Sequence, residues 1–582
     1  MFAVLNKLSW FFKQHWKRYI LAIMALILAS AVGLIPPKLI GIVIDHIQHQ
    51  TLTTQALYSL ITIFIIAIIL NYTLGYLWSF TLFSGSMMLE KDMRSQLMSH
   101  YLNMTPTFYD KYRTGDLMAR ATNDLKAVSM TAGFGILTLV DATTFMFMII
   151  AVMGFTINWS LTLAALIPLP FMAILMNKYG SLIHERFTVA QDAFGDVNNS
   201  VLESIRGVRA VRAYVQENNE VRRFNNLTED VYLKNIAVTK VDALFEPTMK
   251  LLVGISYTIG LGYGAMLVFE SKLTLGDLVA FNVYLGMLIW PMYAVGELIN
   301  VLQRGNASLD RVNNTLSYEA DVKNITHPEV LTEVSSITID NLSFSYPKTT
   351  INQLDKLNVV VKKGETLGVV GKTGGGKTSL FKLLLREYDY KHGSILFSGI
   401  NLKNIALESI QELIGYVPQD QVLFSKSIRE NIQFGNHNAT DEEIFESLKH
   451  AYFYNDLKDL PEGLDTLVGE SGVTLSGGQQ QRIALARAFI KDPEILILDD
   501  SLSAVDGDTE SNIIEHIKLN RKNKTTLISA HRLSAITHAD LIIVLDDGKI
   551  AESGNHDELM LLKGWYYEQY ELQQLDDSEG NN

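Results

Sequence analysis

Apolar residues run almost unbroken through long tracts of the first half of the chain. Ile20 to Pro37 and Thr51 to Leu89 carry no charge, Ala127 to Asn177 carries only Asp141, and Leu251–Phe269 and Leu278–Gly296 are again charge-free. A bilayer crossing takes about 20 such residues, because a helix satisfies its own backbone in hydrocarbon. The polar "INWS" at 157–160 predicts a hairpin that divides the third tract, and a short loop at Lys272–Asp277 joins the last two. The pattern therefore predicts six spans. Between them, the segments near 90–127 and 180–242 are rich in Lys and Arg and keep helical periodicity, as in "DVNNSVLESIRGVRAVRAYVQENNEVRRF". Helices are thus expected to continue beyond the bilayer, and the excess of basic residues places these segments, the amino terminus and everything after residue 300 in the cytoplasm.

The first 18 residues mix Trp10, Phe11, Phe12 and Trp16 with Lys7, Lys13, Lys17 and Arg18. This composition predicts an interfacial elbow helix, and it lacks the apolar core and cleavage site of a signal peptide. The expected organisation is an elbow at 1–18, a transmembrane domain at 19–315, a linker at 316–334, a nucleotide-binding domain at 335–575 and a disordered acidic tail at 576–582. From about residue 335 the pattern changes to short β-rich runs alternating with helices, "SITIDNLSFSY" and then "TLGVVGKTGGGKTSLFKLLL". That change predicts an α/β core.

Composition narrows the chemistry. A length of 582 residues demands more than one core, and a net charge of -13 disfavours nucleic acid as a partner. The absence of cysteine excludes disulfides, Cys-ligated zinc and thiol catalysis. Gly371, Lys372, Thr373, Gly374, Gly375, Gly376, Lys377, Thr378 and Ser379 sit between an apolar strand and a helix. This is the P-loop pattern in its proper context: glycines turn backbone N–H groups toward phosphate, Lys377 neutralises charge, and the Thr378 hydroxyl is placed for Mg²⁺. ATP and Mg²⁺ are the expected ligands.

Further on, "VTLSGGQQQRIALARAFIKDPEILILDD" contains Leu475, Ser476, Gly477, Gly478 and Gln479, which resemble the signature of ATP-binding cassette (ABC) proteins. With six spans upstream, nearly the whole chain resembles a half-transporter of the ABC exporter family. The resemblance implies the type I exporter fold, a polytopic helical membrane domain followed by an α/β P-loop ATPase domain. It also implies a dimer in which ATP lies between one chain's P-loop and the other chain's signature. By position, Tyr346 resembles the aromatic that stacks on adenine, Gln419 the Q-loop residue reaching Mg²⁺, Asp499 the carboxylate holding Mg²⁺ through water, Asp506 the end of the D-loop, and His531 the switch histidine. A sheet-edge tyrosine and a structural histidine are the plainer alternatives. The stretch 108–120 and the region of Ala213, Tyr214 and Gln216 resemble coupling segments, and Gly469, Glu470 and Ser471 the loop that receives them.

One position departs from the family pattern. Where the family has Glu to polarise the attacking water, this chain has Asp500, shorter by about 1.5 Å, a misplacement of the size that changes rate about a hundredfold. The P-loop and signature are intact, so the expected arrangement is a heterodimer in a bacterial plasma membrane. The partner half-transporter would carry the catalytic Glu, as in bacterial heterodimeric multidrug exporters; the alternative is that Asp500 still works as a base. The expected cargo is hydrophobic or cationic small molecules. Asp141 and Glu297 are candidate cavity acids, and Glu246 lies nearer the cytoplasmic end. An interhelical hydrogen bond to Ser, Thr or Asn is the other reading of Asp141. Met146, Phe147, Met148, Tyr284, Met287 and Trp290 could form an adaptable wall, although lipid-facing packing is their commoner fate. A lipid flippase, a peptide exporter and a non-transporting sensor are the rival readings.

Overall fold

The computed structural model describes residues 3–347, 349–469 and 475–580. Contacts divide the chain into two units: one holds residues up to Leu102 together with Thr114–Ser317, and the other holds Asn103–Arg113 and the chain from Tyr318 onward.

In the first unit six long apolar helical segments, Trp16–Gln48, Thr54–Leu102, Thr114–Ile157, Trp159–Arg206, Glu217–Phe269 and Leu275–Leu316, are long enough to cross a membrane. Ile61, Ile65, Ile66 and Ile69 of the second are exposed, an arrangement tolerable only where the solvent is hydrocarbon. The "INWS" hairpin forms where expected: Asn158 is extended, and its side chain accepts from the Leu161 N–H at 3.1 Å to cap the next helix. Thr274 caps the last span in the same way through Asp277 N–H. The elbow is two short helices, Ala3–Lys7 and Ser9–Gln14, joined at Leu8; Val4, Leu8 and Phe11 are fully buried while Trp10 and Trp16 remain exposed.

The third span is irregular. Three π-helical turns, Arg120–Asp124, Asp141–Phe145 and Met153–Ile157, interrupt it, and the first two carry a buried aspartate. Asp124 accepts from Ser308 Oγ at 2.9 Å and from Arg311 Nε at 2.9 Å on the last span. Inserted residues of this kind re-aim a side chain, and both acids point at the same neighbouring helix.

The second unit contains two sheets. β1 (Ser336–Phe344), β2 (Leu354–Lys362), β4 (His392–Phe397) and β5 (Ile400–Asn401) form an antiparallel sheet in the order β2-β1-β4-β5. β3 (Thr366–Gly371), β6 (Ile414–Val417), β7 (Ile495–Asp499), β8 (Thr525–Ser529), β9 (Leu541–Asp546) and β10 (Lys549–Gly554) form the order β10-β9-β3-β8-β7-β6. β7 is buried on both faces: Ile495 and Ile497 join one hydrophobic core, Leu496 and Leu498 the other. This two-sided burial is what a central parallel strand requires.

Two expected boundaries shift. Of residues 316–334, expected as a linker, those from Tyr318 on fold onto the second unit: Val322 and Val334 are buried, and Arg386 Nη2 donates to the Lys323 carbonyl at 2.9 Å. The expected disordered tail is helical as far as Gly580, within the helix Trp565–Gly580. The Glu, Gln and Leu residues at 568–575 ahead of it are helix-forming, no proline follows them, and Asn581 and Asn582 lie outside the described residues.

Candidate functional site

β3, β6, β7 and β8 are mutually parallel, so the loops leaving their carboxyl ends emerge along one edge of the sheet. Those loops are the P-loop, Pro418–Gln419, Asp500 and Ala530–His531. A parallel sheet collects chemistry at this edge because every strand delivers its next residue there.

The P-loop requires its glycines. Gly371 has φ 137°, and a Cβ there would lie 2.0 Å from the Leu545 carbonyl oxygen; Gly376 has φ 106°, and a Cβ there would lie 2.8 Å from the Gln353 carbonyl oxygen. Gly376 then starts the helix Lys377–Leu384. Lys377 Nζ donates to the carbonyls of Gly371 at 2.8 Å and Lys372 at 3.2 Å, drawn across the loop it serves. Burial pushes the Lys377 ammonium below the usual lysine range, opposed by the charges of Asp500 and Asp499. Thr373 and Gly374 are exposed, Gly375 is buried, and Thr378 is half-buried; Lys372 pairs with Asp546 at 3.3 Å. Ser379 is buried, and its hydroxyl bonds the Tyr346 hydroxyl at 2.9 Å. Tyr346 stands edge-on to Phe344 and Tyr388, with ring centroids 4.9 and 5.2 Å away.

Asp499, 2% exposed, accepts from Ser529 Oγ at 2.6 Å through Oδ1, while its buried Oδ2 has no hydrogen-bond partner among the described residues. Asp500 follows in the left-handed region with φ 49°, and its N–H donates to both the carbonyl and hydroxyl oxygens of Ser529, at 3.1 and 3.0 Å. Aspartate tolerates this conformation better than most residues, since its short polar side chain bonds locally. Its Oδ2 lies 3.5 Å from Gln419 Nε2, which donates, and 3.9 Å from His531 Nε2. Burial raises the Asp500 carboxyl above the usual carboxylate range against the pull of His531. Four expected residues, Gln419, Asp499, Asp500 and His531, are thus brought together.

The signature is a helix start. Ser476 caps Gly477–Phe489 by accepting from Gln479 N–H at 3.3 Å, and the Gln479 side chain accepts from Ser476 N–H at 3.1 Å, a reciprocal box that satisfies two otherwise orphaned donors. Leu475 is buried, and a Cβ on Gly478 would meet the Ala504 carbonyl at 2.8 Å. Asp506 caps the helix Gly507–Asn520 through Thr509 N–H at 2.9 Å, which holds its carboxyl below the usual range. Gln481 was not singled out in the sequence, yet its Oε1 accepts from Ala504 N–H at 3.0 Å and joins the signature helix to the D-loop. Ser529 was also missed, because a small polar residue at a strand end carries no distinctive signal.

The coupling and cavity residues divide. Of the stretch 108–120, residues up to Arg113 belong to the second unit, where Phe108 is fully buried with its ring 5.2 Å from Tyr318. Tyr214 is 77% exposed in the turn that follows the helix Val208–Ala213, and Gln216 precedes Glu217–Asp242. Glu470 and Ser471 lie outside the described residues. Asp141 is buried and accepts from Trp290 Nε1 at 2.8 Å, an interhelical bond to an indole rather than to Ser, Thr or Asn. Glu297 is half-buried, and Glu246 is exposed and paired with Lys250 at 2.7 Å. Tyr284 is fully buried, whereas Phe147 and Trp290 are exposed.

A glycine-rich loop, a strand-end carboxylate and a capped signature helix, preceded by six membrane-crossing helices, define an ABC-type ATPase joined to a membrane domain. Residues 19–292 match the ABC transporter transmembrane region family and residues 354–503 the ABC transporter family. The chain belongs to the ABC exporters. A Bacillus subtilis (strain 168) protein described as probable multidrug resistance ABC transporter ATP-binding/permease protein YheI is 58% identical over 575 residues, 99% of this chain and 98% of that protein. The multidrug resistance-like ATP-binding protein MdlA of Escherichia coli (strain K12) is 41% identical over 571 residues, covering 98% and 96%. Among solved structures, a bacterial Atm1-family ABC exporter with ATP bound superposes with a TM-score of 0.79 at 25% identity, covering 96% of this chain and 99% of that one.

Proposed function

We propose that this exporter chain works as one half of a heterodimer, in a bacterial plasma membrane, that expels hydrophobic or cationic drugs. Its amino terminus and nucleotide-binding domain would face the cytoplasm. The resemblance is to the BmrC subunit of BmrCD-type pairs, and the drug assignment is supported by the multidrug descriptions of the relatives at 58% and 41% identity.

In this reading ATP lies on the P-loop N–H groups and Lys377, with adenine against Tyr346 and the partner's signature closing the site. Mg²⁺, when bound with ATP, neutralises phosphate charge. Thr378, Gln419 and Asp499 offer it a hydroxyl, an amide oxygen and a carboxylate, the all-oxygen set a hard cation takes. The orphaned buried Oδ2 of Asp499 supports that fit.

The observation that carries the proposal is the setting of Asp500. Its short carboxylate is held beside Gln419 and His531 at 3.5 and 3.9 Å on a left-handed backbone, where a reacting water needs a base in hydrogen-bond reach. This site binds ATP and hydrolyses it slowly. Leu475, Ser476, Gly477, Gly478 and Gln479 serve the other site, whose base is the partner's Glu. Closure of the two nucleotide domains on ATP would drive the spans as rigid bodies. The test is ATP-dependent accumulation of a cationic dye in inverted vesicles: the pair accumulates it and this chain alone does not. Dye-stimulated ATPase without accumulation would instead identify a sensor.

A further inference from the structure

A groove of about 490 Å³ lies between the first, third and last spans. Its lining is mainly apolar, with Ala31, Leu34, Met148 and Val152, and Lys38 and Thr156 add polar groups. The groove exists because the first span breaks at Leu34, ahead of Pro36 and Pro37, into Trp16–Gly33 and Ile35–Gln48. Tyr284 holds the break by donating its hydroxyl to the Leu34 carbonyl at 2.6 Å.

These two polar residues lie near one end of the spans. Lys38 starts well inside the first span, but its ammonium reaches Asp277 at 2.8 Å. Asp277 is the third residue of the helix Leu275–Met287, so the charge lies about 5 Å from the outer end of the last span. Thr156 is two residues from the turn at Asn158, at the same end of its own span. From there the groove follows the first span over the eight residues from Lys38 to Ala31, about 10 Å. An ammonium above an apolar trough matches the build of a phospholipid, and in a bilayer acyl chains are the solvent that reaches such a trough. The Lys38–Asp277 contact takes one of the three ammonium N–H donors.

We propose that the groove holds one acyl chain of a phospholipid whose phosphate binds the Lys38 ammonium in competition with Asp277. This inference rests on the orientation of the spans given above; because Met148 and Tyr284 also belong to the candidate cavity wall, the test includes a dye arm that tells lipid from drug. The competition sets a signature that a purely structural ion pair lacks: removing Lys38 and removing Asp277 act in opposite directions.

The experiment uses the purified full chain in phosphatidylcholine nanodiscs doped with phosphatidylglycerol carrying a photoactivatable diazirine on one acyl chain, with adducts mapped by peptide mass spectrometry. Adducts are expected in 31–39 and 148–156. K38Q should lower them about fivefold and D277N raise them about fivefold, the weight of one charge at a membrane surface, while K38R retains them. A diacylglycerol probe without phosphate should label at the K38Q level. Labelling spread evenly over all spans, a common direction for K38Q and D277N, or equal labelling by diacylglycerol would overturn the proposal. Loss of labelling in the presence of a cationic dye, without dependence on Lys38, would assign the groove to drugs instead.

Discussion

Replacing Asp500 with Glu tests the geometry of the nucleotide site at its weakest point. The added methylene extends the carboxylate by about 1.5 Å, and a displacement of that size at a reacting group changes rate about a hundredfold, roughly 2.7 kcal/mol of barrier. The gain is expected to fall short of the full factor. Asp500 Oδ2 already lies within 3.5 Å of Gln419 and 3.9 Å of His531, so the longer chain must displace one of them. We expect ATP turnover of D500E to rise ten- to a hundredfold, on the order of the distance effect. The same substitution places Glu at φ 49°, where it lacks the local hydrogen bonding that favours Asp; this costs on the order of 1 kcal/mol and lowers the unfolding midpoint by about 3 °C. The assay is steady-state phosphate release at saturating Mg-ATP for wild type, D500E and D500N in nanodiscs, with a thermal melt of each. Turnover of D500E no faster than wild type, together with a tenfold or greater fall in D500N, would refute the reasoning and make Asp500 a competent base at its own length.

D141N should preserve transport, since its amide oxygen still accepts the Trp290 indole N–H, whereas D141L orphans that N–H and should cut transport about three- to tenfold, the range of interhelical hydrogen bonds in membranes; equal loss in both would point to the charge instead. G276A should lower the thermal inactivation midpoint, because the new Cβ would lie 2.0 Å from the Gly41 carbonyl oxygen and overpacking costs about 1–3 kcal/mol; an unchanged midpoint would show that the first and last spans separate freely. Burial depresses the His538 pKa from 6.5 to about 4, helped by the Lys518 charge, and neither ring nitrogen has a hydrogen-bond partner among the described residues. The native state therefore holds this ring neutral: its contribution is complete above pH 6.5 and is lost as pH falls toward 4. His538→Phe should flatten that part of the stability–pH curve measured by denaturant melts, and an unchanged slope would contradict the assignment.

Residue patterns were legible where local chemistry alone decides the structure. Charge-free length located the spans, Asn158 marked the hairpin it caps, and the glycines of the P-loop marked backbone that no other residue can adopt. Partners across long sequence separations were not legible. Asp141 reads as an intramembrane acid, but its indole partner lies 149 residues away and depends on a π-turn with no sequence signature. Lys38, Asp45 and Asp277 fall at or beyond the edges of the charge-free tracts and were passed over. In the fold, Asp45 Oδ1 accepts from Gly276 N–H at 2.7 Å and Lys38 meets Asp277, tying the first span to the last. The stretch 318–334 reads as polar linker because its two buried valines are too sparse to show a period.

The most direct test of the central claim, a slow site here completed by a competent one in a partner, is steady-state ATPase of this chain alone and with its partner half-transporter. It compares D500N in this chain with Glu→Gln at the partner's matching position. The account predicts little turnover alone, near-complete loss on the partner's change, and most activity retained in D500N. Brisk turnover by this chain alone that D500N abolishes would contradict it.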